Sequence, residues 1–272
     1  MKFDQERIKL QGSQQKIESN IILTIQDLHA GYGSREVLHG LSVSFSRGSI
    51  TVLAGPNGCG KSTLLKTLTG LVPKSGGAIW INGKPIEQLS AVERARQVAY
   101  LPQQKRIPEM TVLAMALHGR FAHLSYPRRY RQKDIEAARE AIRLVGLAGQ
   151  EECMLSELSG GTQQRVFLAM ALAQDAPVIL LDEPTSFLDI SYQLQLMDLC
   201  RSLADSGKAV VMVLHDLPAA LKYADKLAVL SEGRLAAAGT PVEVYESGVL
   251  DRVFGVKVKQ VMDGEERVYY CL

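Results

Sequence analysis

Residues Gly55 to Thr63 read GPNGCGKST, a fit to the pattern G-x-x-x-x-G-K-[ST]. Gly55, Gly58 and Gly60, with Pro56, Asn57 and Cys59 between them, let backbone amides curl around a β-phosphate. Lys61 brings a positive charge to the β- and γ-phosphates, and the hydroxyl of Ser62, followed by Thr63, suits a magnesium ion. A plain glycine-rich turn between a strand and a helix is the alternative. Such a loop needs an acidic group to hold the metal, and VILLDEPT supplies one. Asp182 ends an apolar run, where a carboxylate binds Mg2+ through water, and Glu183 follows directly, placed to polarise a water beside a γ-phosphate. A solvated loop is the plain alternative for that pair. A third stretch, LSGGTQQR, sets Ser159, Gly160 and Gly161 before the apolar run Val166 to Ala173, the pattern of a second helix N-terminus open to an anion.

The elements that must hold these groups are legible in the hydrophobic pattern. SITVLAG is a short buried strand ending in the glycine turn, and KSTLLKTLTG is a helix closing on Gly70. IILTIQDL, VLHGLSVSF, GGAIWING and VAYLPQ are further strands. APVILLDEP and KAVVMVLHD are unbroken apolar runs, expected in strands buried on both faces of a parallel sheet. The texture is helical from Gln104 to Ala173, where Ile135, Ala138, Ile142 and Val145 recur at helical spacing before Gly146. YQLQLMDLCRSLADSG is another helix. KLAVLSEGRLAAAG predicts a hairpin turning at Glu232–Gly233, and KVKQVMDGEERVYY one turning at Asp263–Gly264.

The bulk numbers exclude several classes. The 272 residues are 46% hydrophobic and 22% charged, with a net charge of +2, too mild a balance to argue for nucleic acid. Four scattered cysteines form no CxxC pair, which excludes a zinc framework and fits a reduced, intracellular compartment. Residues 1–20 read as a polar tail without the apolar core of a signal peptide. No apolar run approaches the ~20 residues that span a bilayer.

With the phosphate loop, LSGG and VILLDEPT in this order, the sequence resembles the ATP-binding cassette (ABC) transporter ATPases over about residues 21–256. The resemblance implies an α/β fold, a P-loop NTPase of ABC type with an antiparallel β subdomain and an inserted α-helical subdomain. The implied division is a core of about 21–103 and 174–248, a helical subdomain of about 104–173, and a C-terminal β extension over 257–272. It implies ATP and Mg2+ as ligands, the metal held by Ser62, Gln103 and Asp182. Tyr32 matches the aromatic position that stacks on adenine, and Gln103 in YLPQ the residue that reaches the metal and the attacking water. His215 in VLHD matches the histidine at the γ-phosphate, beside Glu183 as the base. Asp189, ending SFLD, matches the segment that meets a partner subunit. Each has a plainer reading: Tyr32 as a loop aromatic, His215 as a hydrogen-bonded loop residue, Gln103 as loop polarity shared with Gln104, and Asp189 as a helix N-cap.

In this family two copies pair head to tail, so that Ser159, Gly160 and Gly161 act on the neighbour's ATP. One departure stands out: Thr162 occupies the position where the family usually has Gln, and its hydroxyl still accepts or donates a hydrogen bond. LDISYQLQLMDL, the LHDL-x-x-A-x-x-YAD stretch and VFGV resemble the importers of ferric siderophores, haem and cobalamin. That implies two transmembrane permease subunits, an indirect solute-binding protein and a peripheral position on the cytoplasmic face of a bacterial inner membrane. Ile107, Pro108, Met110 and Val112 are candidates for transmission to the permeases, or for packing of the insert's first helix. The basic cluster Tyr126 to Lys133 reads as a solvated loop. The competing functions are an ABC-type ATPase acting as a soluble assembly or regulatory factor, and a P-loop small-molecule kinase, which leaves LSGG, Gln103 and His215 without a role.

Overall fold

The computed structural model describes residues 20–103, 107–264 and 266–272. Residues 1–19 of the expected polar tail, and Gln104, where the helical texture begins, lie outside the described residues. The chain begins with a long antiparallel pair, β1 (Ile21–Tyr32) and β2 (Arg35–Ser46), in which Tyr32 stands opposite Arg35. β3 (Ser49–Ala54) is buried at every position and runs into the glycine loop and helix α1 (Lys61–Thr69), which ends on Gly70 in the left-handed region. β4 (Lys74–Ile81) and the short β5 (Lys84–Pro85) complete an antiparallel sheet of order β2-β1-β4-β5. Helix α2 (Ala91–Gln97), started by a capping box between Ser90 and Glu93, feeds β6 (Val98–Leu101).

Three helices then pack on one another: α3 (Val112–His118), α4 (Gln132–Leu144) and α5 (Gly160–Ala173). A buried ion pair fastens them, Arg120 Nε to Asp134 Oδ1 at 3.3 Å, while Arg120 Nη1 donates to the Ala173 carbonyl at the far end of α5. The chain returns to the sheet with β7 (Val178–Asp182), α6 (Ile190–Asp205), β8 (Ala209–Val213), α7 (Leu217–Tyr223), β9 (Lys226–Ser231) and β10 (Arg234–Gly239). It ends in α8 (Pro241–Glu246), α9 (Val249–Phe254) and the hairpin β11 (Val258–Asp263) and β12 (Glu266–Cys271).

The second sheet has the order β10-β9-β3-β8-β7-β6 and is parallel throughout except for β10. Its strands alternate between two apolar clusters, as a period of two requires. Val98, Leu180, Val211 and Val213 face α1 and the antiparallel sheet, with Leu64, Leu68 and Phe45. Ala99, Leu101, Leu181 and Met212 face the helices, with Val166, Phe167 and Ile142. Both faces are covered, which is why β7 up to Asp182 and the whole of β8 are apolar.

One expectation needs correction, and one open choice is decided. Asp263 pairs with Glu266, so the last hairpin turns after Asp263 and not on it. Val112 is fully buried, its amide bonded to the Cys153 carbonyl, and packs the insert; of the four transmission candidates only Ile107 is exposed.

Candidate functional site

Parallel strands end on one side of their sheet, and ligands of such sheets bind in the crevice beyond those carboxyl ends. Here β3 delivers the glycine loop, β6 delivers Gln103, β7 delivers Asp182 and Glu183, and His215 follows β8. Lys61, Ser62, Thr63, Gln103, Glu183 and His215 line a cleft of about 390 Å3 with Asn57, Gly58 and Gly60.

The loop is built for close approach. A Cβ at Gly55 would stand 2.3 Å from the Leu230 carbonyl oxygen and 2.7 Å from the buried Cys59 sulfur. Gly60, at φ 108, is the N-cap of α1 and provides no side-chain cap, so the first amides of that helix are left to an anion. Lys61 is buried, and its Nζ donates to the carbonyls of Gly55 at 2.7 Å and Pro56 at 2.9 Å. The ammonium is thereby pinned beside the loop it serves.

Ser62 Oγ donates to Asp182 Oδ1 at 3.0 Å, and the Tyr100 hydroxyl donates to Asp182 Oδ2 at 3.1 Å. Burial pushes the Asp182 carboxyl above the usual carboxylate range, while these two hydrogen bonds pull it back. A hydroxyl and a carboxylate side by side are hard oxygen donors, the set a magnesium ion takes with water and phosphate. The residues present therefore fit that ion. Glu183 sits at φ 53, an uncommon conformation for a residue with a Cβ, and its Oε1 lies 2.5 Å from His215 Nε2.

The remaining expected residues lie elsewhere. Tyr32 is half-exposed at the end of β1 and is not among the cleft's lining residues. Asp189 is the N-cap of α6, its carboxylate accepting from the Tyr192 amide at 2.8 Å, and it is flanked by Phe187 and Ile190, 82% and 76% exposed. Ser159 is the N-cap of α5, with Gly160 and Gly161 opening the helix, and a Cβ on Gly160 would meet nothing within 4 Å. A Cβ on Gly161, by contrast, would stand 3.0 Å from the Phe187 carbonyl oxygen. Sequence reading missed Tyr100 and Arg165. Tyr100 emerges only in the sheet, where β6 pairs with β7 in the register Tyr100 to Leu180 and Tyr100 falls on the same face as Asp182. Arg165 stacks its guanidinium carbon 3.8 Å above the Tyr192 ring centroid, which ties α5 to α6.

The ABC transporter family model matches residues 38–186. The iron(3+)-hydroxamate import ATP-binding protein FhuC of Bacillus subtilis is 38% identical over 92% of this chain and 94% of its own length. The hemin import ATP-binding protein HmuV of Streptomyces coelicolor is 42% identical over 85% of this chain and 82% of its own. Among solved structures, a chain of an ABC transporter in an inward-facing conformation superposes with a TM-score of 0.79 at 26% identity, covering 93% of this chain and 98% of that one.

Proposed function

The chain belongs to the ABC transporter family, and on that premise we propose that it is the ATP-hydrolysing subunit of an importer for a ferric siderophore or a haem-type chelate. The observation that carries the reading is the convergence of Lys61, Gln103, Glu183 and His215 on one cleft from four strand ends. Relatives named for iron(3+)-hydroxamate and hemin import support the substrate class.

In this reading the amides of residues 57–63 and Lys61 bind the triphosphate, and Tyr32 stacks on the adenine. Ser62, Asp182 and Gln103 hold magnesium, which when bound neutralises charge on the β- and γ-phosphates. Glu183 accepts the proton of the attacking water, and His215, in contact with the Glu183 carboxylate, meets the γ-phosphate. Ser159, Gly160 and Gly161 close over the γ-phosphate bound by a second copy. The exposed Phe187 and Ile190, next to Asp189, then become part of the contact between copies. Among the described residues no helix is long and apolar enough to cross a membrane. The relatives named as import ATP-binding proteins support a reading in which energy reaches the membrane through separate permease subunits. The exposed Ile107 lines a groove with Gln103 and Phe167 and is the contact point we assign to those subunits. The chain then works on the cytoplasmic face of the inner membrane.

Purification of the tagged full chain from detergent-solubilised membranes tests the proposal. Two strongly apolar chains should accompany it, and a chain recovered without membrane partners would instead be a soluble assembly factor.

A further inference from the structure

The helical insert carries a patch of charge that the proposed chemistry does not use. From Met110 to Lys133 the chain has no Asp or Glu, and it places Arg120, Arg128, Arg129, Arg131 and Lys133 there. Arg120 is spent inside, on Asp134 and the Ala173 carbonyl. The other four are exposed, and among the described residues none of them forms an ion pair. Aromatic rings stand among them. The Arg128 guanidinium lies 4.8 Å from the centroid of the exposed Phe121 ring, and Tyr126 is 97% exposed.

This concentration works against the local fold. Arg131 is the N-cap of α4 and Lys133 lies in its first turn. A helix N-terminus carries partial positive charge and disfavours cations. A guanidinium has no acceptor, so Arg131 cannot cap an amide as Ser, Thr, Asp or Asn would, and its Nη2 donates to the Ser125 hydroxyl at 3.1 Å instead. Asp134, the acidic residue of that first turn, is buried and turned toward Arg120 and the Arg131 amide. Local choices that oppose the fold are expected at functional positions. Several cations on flexible stems match a surface of many phosphates, and clusters of about four to eight Lys and Arg are read as binding anionic lipid. A tyrosine standing clear of the protein, with an apolar body and a polar tip, suits the level of lipid headgroups. A net charge of +2 leaves the chain without the strong overall basicity that nucleic acid selects. We propose that segment 125–133, with Phe121, docks on anionic phospholipid headgroups beside the permeases. The inference rests on the importer reading above, in which Ile107 meets the permeases; α3, seven residues and about 10 Å long, separates Ile107 from the patch along the same insert.

The test sediments the full chain with vesicles of pure phosphatidylcholine and with vesicles that also contain phosphatidylglycerol. Binding should occur on the mixed vesicles alone and should weaken as salt is raised. Each cation near an anionic surface is worth about fivefold, so Arg128→Gln together with Arg129→Gln should weaken binding by about twentyfold or more. ATP affinity and the melting temperature should hold. Lys259→Gln with Arg267→Gln, on the β11–β12 hairpin, removes the same charge from elsewhere and should bind as the parent does. A parent chain that ignores the mixed vesicles, an Arg128→Gln, Arg129→Gln chain that binds them as the parent does, or a hairpin variant weakened equally overturns the proposal. A parent chain that prefers a DNA oligonucleotide to the mixed vesicles overturns it too. Co-purification from solubilised membranes separates the two ideas. If permeases accompany the chain while vesicle binding fails, only the lipid contact fails; if neither is found, the importer reading fails with it.

Discussion

The N-termini of α1 and α5 are both preceded by small residues, yet they are finished in opposite ways. Gly60 leaves the first amides of α1 uncapped, and the loop in front of them, the buried Lys61 and the ends of four strands wall them in. Ser159 caps α5 with its own oxygen, and the glycine after it faces open space. A helix end enclosed by its own chain can take an anion alone. One that is capped and open can add only a few contacts to an anion held by something else. In the proposed function the chain therefore carries one complete phosphate site and part of another, and that reading requires two copies.

Substitutions on the two sides should separate accordingly. Glu183→Gln should lower the rate of ATP turnover by about a hundredfold to ten-thousandfold while ATP still binds, measured by phosphate release and calorimetry. Turnover near the parent rate would remove Glu183 as the base.

Next in size is the support of α5. Asp134→Ala strands Arg120 without its buried partner and should cost about 3–5 kcal/mol in chemical denaturation. Burial raises the Asp134 carboxyl, but the Arg131 amide and the Arg120 guanidinium outweigh it and hold the group below the usual carboxylate range. Its contribution is therefore present above the ordinary carboxyl pKa and disappears as the pH falls through the lowered folded value. The difference in stability between parent and Asp134→Ala should shrink on acidification. A difference constant down to strongly acidic pH would contradict the ion-pair account.

Lys61→Ala acts on the enclosed end alone. It should weaken ATP binding by about tenfold to a hundredfold, the worth of a charge-assisted hydrogen bond. The smallest effect belongs to Tyr100→Phe, which frees one oxygen of Asp182 at a cost of about 1 kcal/mol. It should appear only in the magnesium-dependent part of ATP affinity, with binding in a chelator unchanged.

The enclosed site was legible in the sequence because its parts are contiguous strings dictated by local chemistry. A glycine loop between strand and helix, or a carboxylate ending an apolar strand, needs no knowledge of what lies opposite. Tyr100 was not legible in that way, because its bond to Asp182 spans strands that meet only in the sheet, and a tyrosine in VAYLPQ reads as one more strand aromatic. Arg165 was visible in LSGGTQQR but had no role until α6 brought Tyr192 beneath it. Val112 shows the converse failure: an apolar residue after a loop fits an exposed contact and a buried one equally, and only the packing of α3 against its neighbours decides for burial. The hairpin at Glu232–Gly233 has its turn where expected, both residues having positive φ, whereas the last hairpin is displaced by one residue because Asp263 still pairs.

The claim that two chains complete each site can be tested by mixing lesions in the Glu183→Gln chain. One population carries Lys61→Ala, the other Ser159→Arg, and neither alone should form closed pairs that trap ATP. In a head-to-tail pair of unlike chains both lesions fall in the same site and the other site is intact, so mixing should produce pairs that retain one ATP each. If each chain bound and closed over its own ATP, every site would carry a lesion and mixing would recover nothing.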